Sequence, residues 1–203
     1  MSAKARLGRL VVSLMPTEPE PKGMLALMYY AESRRAARRA ANGAYVPLEE
    51  QDTSLWDDSQ IRLAEQLLHE ANAGGPTGRY QLEAAIQSAH TGRRLSGAAN
   101  WPIVVQLYDH LYALTRSPVV ILNRAVALAE VDGPAAALAA LAPLAQDRRM
   151  QGYQPYWAAR GHLLARTGAT AEAREAFTVA LGLTTDDAVT AYLNGQMARL
   201  SSH

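Results

Sequence analysis

The chain has 203 residues, 49% of them hydrophobic and 19% charged, with a net charge of +1 and no cysteine. That balance belongs to chains that fold in water rather than stay disordered. The absence of cysteine excludes disulfides, thiolate catalysis and zinc–thiolate sites. No run of about 18 uncharged apolar residues offers a spanning helix, and the N-terminal M-S-A-K-A-R-L-G-R-L lacks the apolar core and cleavage site of a secretory signal, so the expected location is the cytoplasm.

Apolar residues recur at helical spacing and strand-like alternation is absent, which predicts an all-α chain. In order, the helices are expected at about 3–15, 20–41, 58–72, 80–92, 101–115, 119–131, 134–145, 154–167, 170–181 and 186–200. Asn42-Gly43, Gly74-Gly75-Pro76, Ser117-Pro118, Asp132-Gly133-Pro134 and Thr167-Gly168 supply the turn and cap chemistry between them. Short links make neighbouring helices antiparallel, so the reading is a single domain, 1–203, of about ten helices in hairpins stacked in order.

Along that order, residues 1 to 43 hold eight Lys or Arg against three Glu, and the remainder holds twelve against sixteen Asp or Glu. Arg34, Arg35, Arg38 and Arg39 fall on one side of the second predicted helix, either as a contact for phosphates or acidic partners or as a solvated face. A connecting loop at 42–57 then turns acidic. Tyr45 to Gln60 reads Y-V-P-L-E-E-Q-D-T-S-L-W-D-D-S-Q, with five carboxylates, one tryptophan and no basic residue. Ser54 and Asp57 fit a capping box that would start the next helix, with Asp52 as an alternative cap, and Trp56 is expected to bury its ring while its indole N–H reaches a carbonyl or carboxylate. Glu49, Glu50 and Asp52 are left without a capping role. A general acid/base set would need them to converge in a cleft, whereas an ion-pairing surface for arginines requires less.

Further on, Gly74-Gly75-Pro76-Thr77-Gly78 lacks the Gly-Lys-Ser/Thr of a phosphate loop and reads as a helix connection. His69, His90, His110, His162 and His203 show no metal-binding pair spacing, and no serine sits in a G-x-S-x-G setting, so no metal, cofactor or catalytic residue is expected. Trp157, Gly161, Leu164, Gly168, Ala173, Phe177 and Ala180 carry the spacing of a tetratricopeptide repeat, best at 154–185. A looser repeat at 118–145 aligns Ile121, Ala125, Leu128, Ala137 and Leu141, and Leu25, Ala26 and Tyr29 fit the first helix of an N-terminal unit. The fold class is therefore a tetratricopeptide-like helical hairpin array, a right-handed α-solenoid, with Trp157, Phe177 and Tyr29 as packing knobs and a concave surface suited to a peptide or another domain.

V-P-L-E-E-Q-D-T-S-L-W-D at Val46 to Asp57 resembles the L-L-E-D-Q-D-R-S-x-W-D segment in the C-terminal extension of a group of extracytoplasmic-function (ECF) RNA polymerase sigma factors. The resemblance extends over nearly the whole chain: Leu7 to Leu10, Leu25 to Arg38, Tyr80-Gln81-Leu82, Ala84-Ala85-Ile86, His90, Trp101, Leu107-Tyr108-Asp109, Ser117 to Val120, Asn123 to Ala127 and Val131 to Pro134. Pro47 and Thr53 depart from it, replacing an aliphatic residue and an arginine. In that family two helical domains, regions two and four, bind core polymerase and read the promoter, and the tetratricopeptide-like extension that follows controls sigma activity. Neither DNA-reading domain is in this chain. It then reads as the extension alone, either cut from a longer protein, with Met1 and Ser2 left by cloning, or as a stand-alone relative.

The expected function is a non-enzymatic regulatory domain that contacts its own sigma domains or core RNA polymerase, with no direct DNA binding and no membrane partner. The expected contact residues are Glu49, Glu50, Asp52, Trp56, Asp57, Tyr80, Gln81, Asn123 and Arg124, the last two with an alternative hydrogen-bonding role at a hairpin crossing. The alternative function is a sensor that takes a small molecule or peptide in the repeat groove.

Overall fold

Most helix ends in this protein follow local chemistry, and the end of the second helix does not. The computed structural model describes residues 3–200; Met1, Ser2 and His203 lie outside them. The described residues are all α, without a β-strand. The sequence reads as one domain, and the described residues divide into two compact units, one of residues up to 39 with 46–116 and one of 40–45 with the residues from 117 onward.

The first unit contains α1 (Ala3–Leu14), α2 (Pro19–Ser33), α3 (Asp58–Asn72), α4 (Arg79–Thr91), α5 (Arg93–Ser96) and α6 (Trp101–Thr115). Helix α2 packs against α1, α3 and α4, and α4 packs in turn against α6. Leu25, Ala26, Tyr29 and Tyr30 of α2 meet Ile61, Ala64 and Leu68 of α3, Ala84 of α4 and the ring of Trp56 in one core. Small residues set the spacing. Gly23 lies so close to α4 that an added Cβ would sit 2.8 Å from the Gln81 backbone nitrogen.

Helix α2 ends at Ser33, eight residues before the end expected from periodicity. A longer helix would use the Ser33 carbonyl to accept from Ala37. Instead that carbonyl accepts from the Asp57 N–H at 2.9 Å, and Ala37 turns to the Arg34 carbonyl at 3.1 Å in a 3₁₀ turn, Arg35–Arg38. The four arginines expected along one helix face are therefore dispersed. Arg34 is buried, Arg35 pairs with Glu32 at 3.2 Å, and Arg38 donates to the Ala31 carbonyl at 2.5 Å.

The second unit contains α7 (Pro118–Leu128), α8 (Pro134–Leu141), α9 (Arg148–Gln151), α10 (Gln154–Arg166), α11 (Thr170–Gly182) and α12 (Asp187–Arg199). Helix α7 packs on α8, α8 on α10, α10 on α11 and α11 on α12. Pro118 and Pro134 occupy first-turn positions, where the missing N–H costs nothing. Pro143 lies where α8 was expected to continue to 145. It cannot donate to the helical ladder, and the chain tightens into a 3₁₀ turn, Ala142–Gln146.

Of the repeat positions, Gly161, Leu164, Ala173, Phe177 and Ala180 are buried, and Gly161 lets the Phe177 ring lie against α10. Trp157 differs from its expected role as a buried knob. It is half-buried, its indole N–H donates to the Gln151 carbonyl at 2.9 Å, and its ring meets Tyr156 edge-on. In the looser repeat Ala125, Ala137 and Leu141 are buried. No helix among the described residues is long and apolar enough to cross a membrane.

Candidate functional site

The acidic segment is held from beneath by basic side chains. It enters with Val46, whose N–H donates to the Arg38 carbonyl at 3.1 Å, makes one 3₁₀ turn at Leu48–Glu50 and another at Thr53–Leu55, and leaves through the Asp57 N–H on Ser33. Arg93 of α5 spans the two turns: Nη1 donates to the Glu49 carbonyl at 2.8 Å and Nη2 to the Gln51 carbonyl at 3.0 Å. A guanidinium suits this task because its planar fork reaches two acceptors from one position. Arg94 beside it pairs with Asp58 at 2.8 Å and with Glu65 at 3.4 Å, joining α5 to α3.

Trp56 is the apolar anchor, 5% exposed within the first core. The Arg93 and Arg34 guanidinium carbons lie 5.3 and 6.0 Å from its ring centroid, within the range at which a cation is attracted to an indole face. The expected carbonyl or carboxylate for its indole is missing: Nε1 is buried without a hydrogen-bond partner among the described residues. Trp56 therefore contributes a buried ring rather than an accessible contact.

The carboxylates divide by task. Asp57, not Ser54, caps α3. Its Oδ1 accepts from the Ser59 N–H at 2.9 Å and the Gln60 N–H at 3.1 Å, and with the Ser59 hydroxyl and the Gln60 amide these bonds lower its pKa to about 2. Ser54 is displaced from that role because the chain makes a 3₁₀ turn at 53–55 and extends at Trp56 before the helix begins. Asp52 accepts from the Ser54 N–H at 2.8 Å, and the Ser54 hydroxyl first, then this N–H, hold its pKa below the usual carboxylate range. Glu49 and Glu50 are exposed, and neither side chain makes a hydrogen bond or ion pair among the described residues. Arg93 grips the backbone of this segment and leaves those two carboxylates to solvent. Glu49, Glu50 and Asp52 do not converge in a cleft.

Gln81 belongs to the fold. It is fully buried, donates to Asn72 Oδ1 at 3.1 Å and accepts from the Gly78 N–H at 3.0 Å. The N–H groups of Tyr80 and Gln81, otherwise unpaired at the start of α4, donate to the Glu20 carboxylate of α2 at 3.1 and 3.2 Å. Only the half-buried Tyr80 ring faces outward, beneath the Arg79 guanidinium. In the second unit, Asn123 is exposed on α7 and Arg124 is half-buried and partnered.

Four residues with structural roles here were not singled out from the sequence: Glu20, Gln87, Arg93 and Arg94. Gln87 accepts from Arg34 Nη2. His90, which the sequence offers as part of the family resemblance and without a metal-binding pair, is 9% exposed and meets Trp101 edge-on at 5.4 Å. Burial first, then the charges of Arg34 and Arg93, lower its pKa to about 4. Among the described residues no three His, Asp or Glu side chains gather in a metal-holding group.

Residues 1–72 match a family described as a family of unknown function, DUF6596. The chain is 41% identical over 197 residues to an uncharacterized protein of Rhizobium meliloti (strain 1021), an alignment covering 97% of this chain and 46% of the relative. The chain thus spans about half the length of the curated relative it matches. No solved structure matches.

Proposed function

We propose that this chain is a non-enzymatic regulatory domain of an ECF RNA polymerase sigma factor, acting through contacts with sigma domains of its own polypeptide or with core polymerase. The observation that carries the reading is the acidic segment. Its sequence holds the run that resembles the sigma-factor extension, and its backbone is pinned by Arg93 so that Glu49 and Glu50 stand exposed on a shaped loop. Pre-forming the loop reduces the ordering cost of a partner's basic side chains binding there. Asp52 and Asp57 add negative charge to the same surface while holding their turns.

A second exposed surface supports an interaction role. Leu7, Leu10 and Leu14 recur along α1 at i, i+3 and i+7, and they are 62%, 54% and 73% exposed. Apolar side chains in such a row on a helix suit contact with another domain. More than half of the R. meliloti relative lies outside the matched region, which accommodates additional domains in a protein of that length.

The test places Glu49→Lys and Glu50→Lys together in a full-length sigma factor carrying this domain and measures promoter-driven transcription beside thermal stability. Transcription changed severalfold with an unaltered melting temperature supports the proposal. Unchanged transcription overturns the role of this surface. Failure of the purified chain to bind either separately expressed sigma domains or core polymerase overturns the interaction role.

A further inference from the structure

The polar interior beneath the acidic segment carries more positive charge than its partners balance. Arg34 is 9% exposed, Arg93 is half-buried, and both guanidinium groups lie within about 6 Å of the Trp56 ring. Arg34 spends Nη2 on the neutral Gln87 amide, and Arg93 spends Nη1 and Nη2 on backbone carbonyls. Neither makes an ion pair among the described residues, and Arg38 stands close enough to add repulsion at Arg34. Glu49 is the acidic group whose charge opposes that of Arg34, through space rather than by a hydrogen bond. Burying a guanidinium without an ion pair is costly, and a cation–π contact returns only part of that cost.

The hydrogen-bond inventory has the same bias. Arg34 Nε and Trp56 Nε1 are buried donors without partners, and Gln51 Oε1 is a buried acceptor without one. His90 on α4, near both arginines, is held uncharged by burial and by their field, so it adds no positive charge near neutral pH. A buried water can satisfy two donors and one acceptor. It adds no negative charge beside the two guanidinium groups, of which Arg34 is opposed only through space by Glu49. An oxyanion meets both needs, because its oxygens accept from Nε–H and indole N–H while its charge opposes both arginines.

We propose that Arg34, Trp56 and Arg93 form a site for a small oxyanion, a carboxylate or a phosphate, beneath the acidic segment in the first unit. This site is distinct from the repeat groove in which the sequence suggests a ligand. It does not depend on the sigma-factor reading.

The test uses the whole chain, labelled with ¹⁵N, and follows the indole N–H signals of Trp56, Trp101 and Trp157. Trp101→Phe and Trp157→Phe assign the signals and leave Trp56 intact. Inorganic phosphate, acetate and chloride are titrated separately at constant ionic strength. The expected result is a Trp56 signal that shifts and saturates with phosphate or acetate while the Trp157 signal stays in place. Saturation by phosphate alone identifies a phosphate-type ligand, and saturation by acetate alone a carboxylate-type ligand. Arg93→Gln is expected to weaken the saturating anion at least tenfold, and undiminished binding in the folded variant overturns the assignment. If that variant does not fold, the wild-type titration decides. A Trp56 signal unmoved by both oxyanions, or moving equally with chloride, overturns the site and leaves a buried water as the partner of the unpaired donors.

Discussion

The two units bury their helices by different means. In the second, α10 and α11 meet through apolar complementarity, with Gly161 opposite Phe177 and Ala173 and Ala180 buried along α11. In the first, an apolar core is joined by long-range polar ties: Glu20 on the start of α4, Arg34 on Gln87, Arg93 on two carbonyls and Arg94 on α3. Apolar packing tolerates the loss of any single polar group. A polar interior loses more when one member is removed, because the remaining partner is left desolvated.

The largest expected effect tests the apolar side of that contrast. Phe177→Ala removes a ring that is 1% exposed, and denaturant unfolding should show a loss of about 3–5 kcal/mol. A loss below about 1 kcal/mol would mean that α10 and α11 are not held by this ring.

Next comes the pH response of the polar interior. His90 has a folded-state pKa of about 4 against an ordinary 6.5, so the unfolded chain binds the proton more readily. Its contribution is complete above pH 6.5 and is lost as pH falls towards 4, by up to about 3 kcal/mol. Asp57, lowered to about 2, loses its contribution in a separate and more acidic window, below its ordinary 3.8. Unfolding measured from pH 7 to pH 4 should show the slope, and His90→Gln should flatten it. An equal slope in the variant would assign it to other groups.

A matched pair of glycines sharpens the comparison further. Gly23→Ala sets a Cβ 2.8 Å from a backbone nitrogen, and Gly161→Ala sets one 2.8 Å from the edge of the Phe177 ring. A backbone atom at a helix start yields less than a ring that can tilt. Gly23→Ala is therefore expected to cost about 2–3 kcal/mol and Gly161→Ala about 1 kcal/mol, after the gain in helix propensity. The reverse order in thermal unfolding would locate the tighter crossing in the second unit. Asp57→Ala, which removes the cap of α3, should cost about 1 kcal/mol, and the smallest effect follows from the residue beside it in the capping pattern. Ser54→Ala should change stability by a few tenths, because its hydroxyl does not cap the helix.

The candidate site was legible in part. Asp52, an alternative cap for α3 in the sequence, caps the 53–55 turn instead, and the Trp56 ring is buried as its sequence setting predicts. Of the three carboxylates that the sequence leaves without a capping role, Glu49 and Glu50 have side chains that make no hydrogen bond or ion pair among the described residues, whereas Asp52 accepts from the Ser54 N–H. The ties beneath them were not legible. Arg93 lies 44 and 42 residues from the carbonyls it grips, and Arg34 lies 53 from Gln87. A backbone carbonyl is the same at every residue and leaves no mark in a sequence.

What the sequence determined by itself was the helical class, most helix limits and the small-residue crossing of α10 and α11, because prolines, glycines and apolar spacing act within a few residues. It placed the α3 cap within three residues of the side chain that provides it. The end of α2 was decided only by the tertiary structure. Periodicity extended that helix to residue 41, and the Asp57 N–H, arriving from another part of the chain, takes the carbonyl that the next turn would have used. The same tertiary arrangement buries Arg34, leaves Arg35, Arg38 and Arg39 of the predicted arginine face exposed, and leaves the Trp56 indole N–H without a partner among the described residues. Local rules decide where a helix can run; competition for its last carbonyl decides where this one stops.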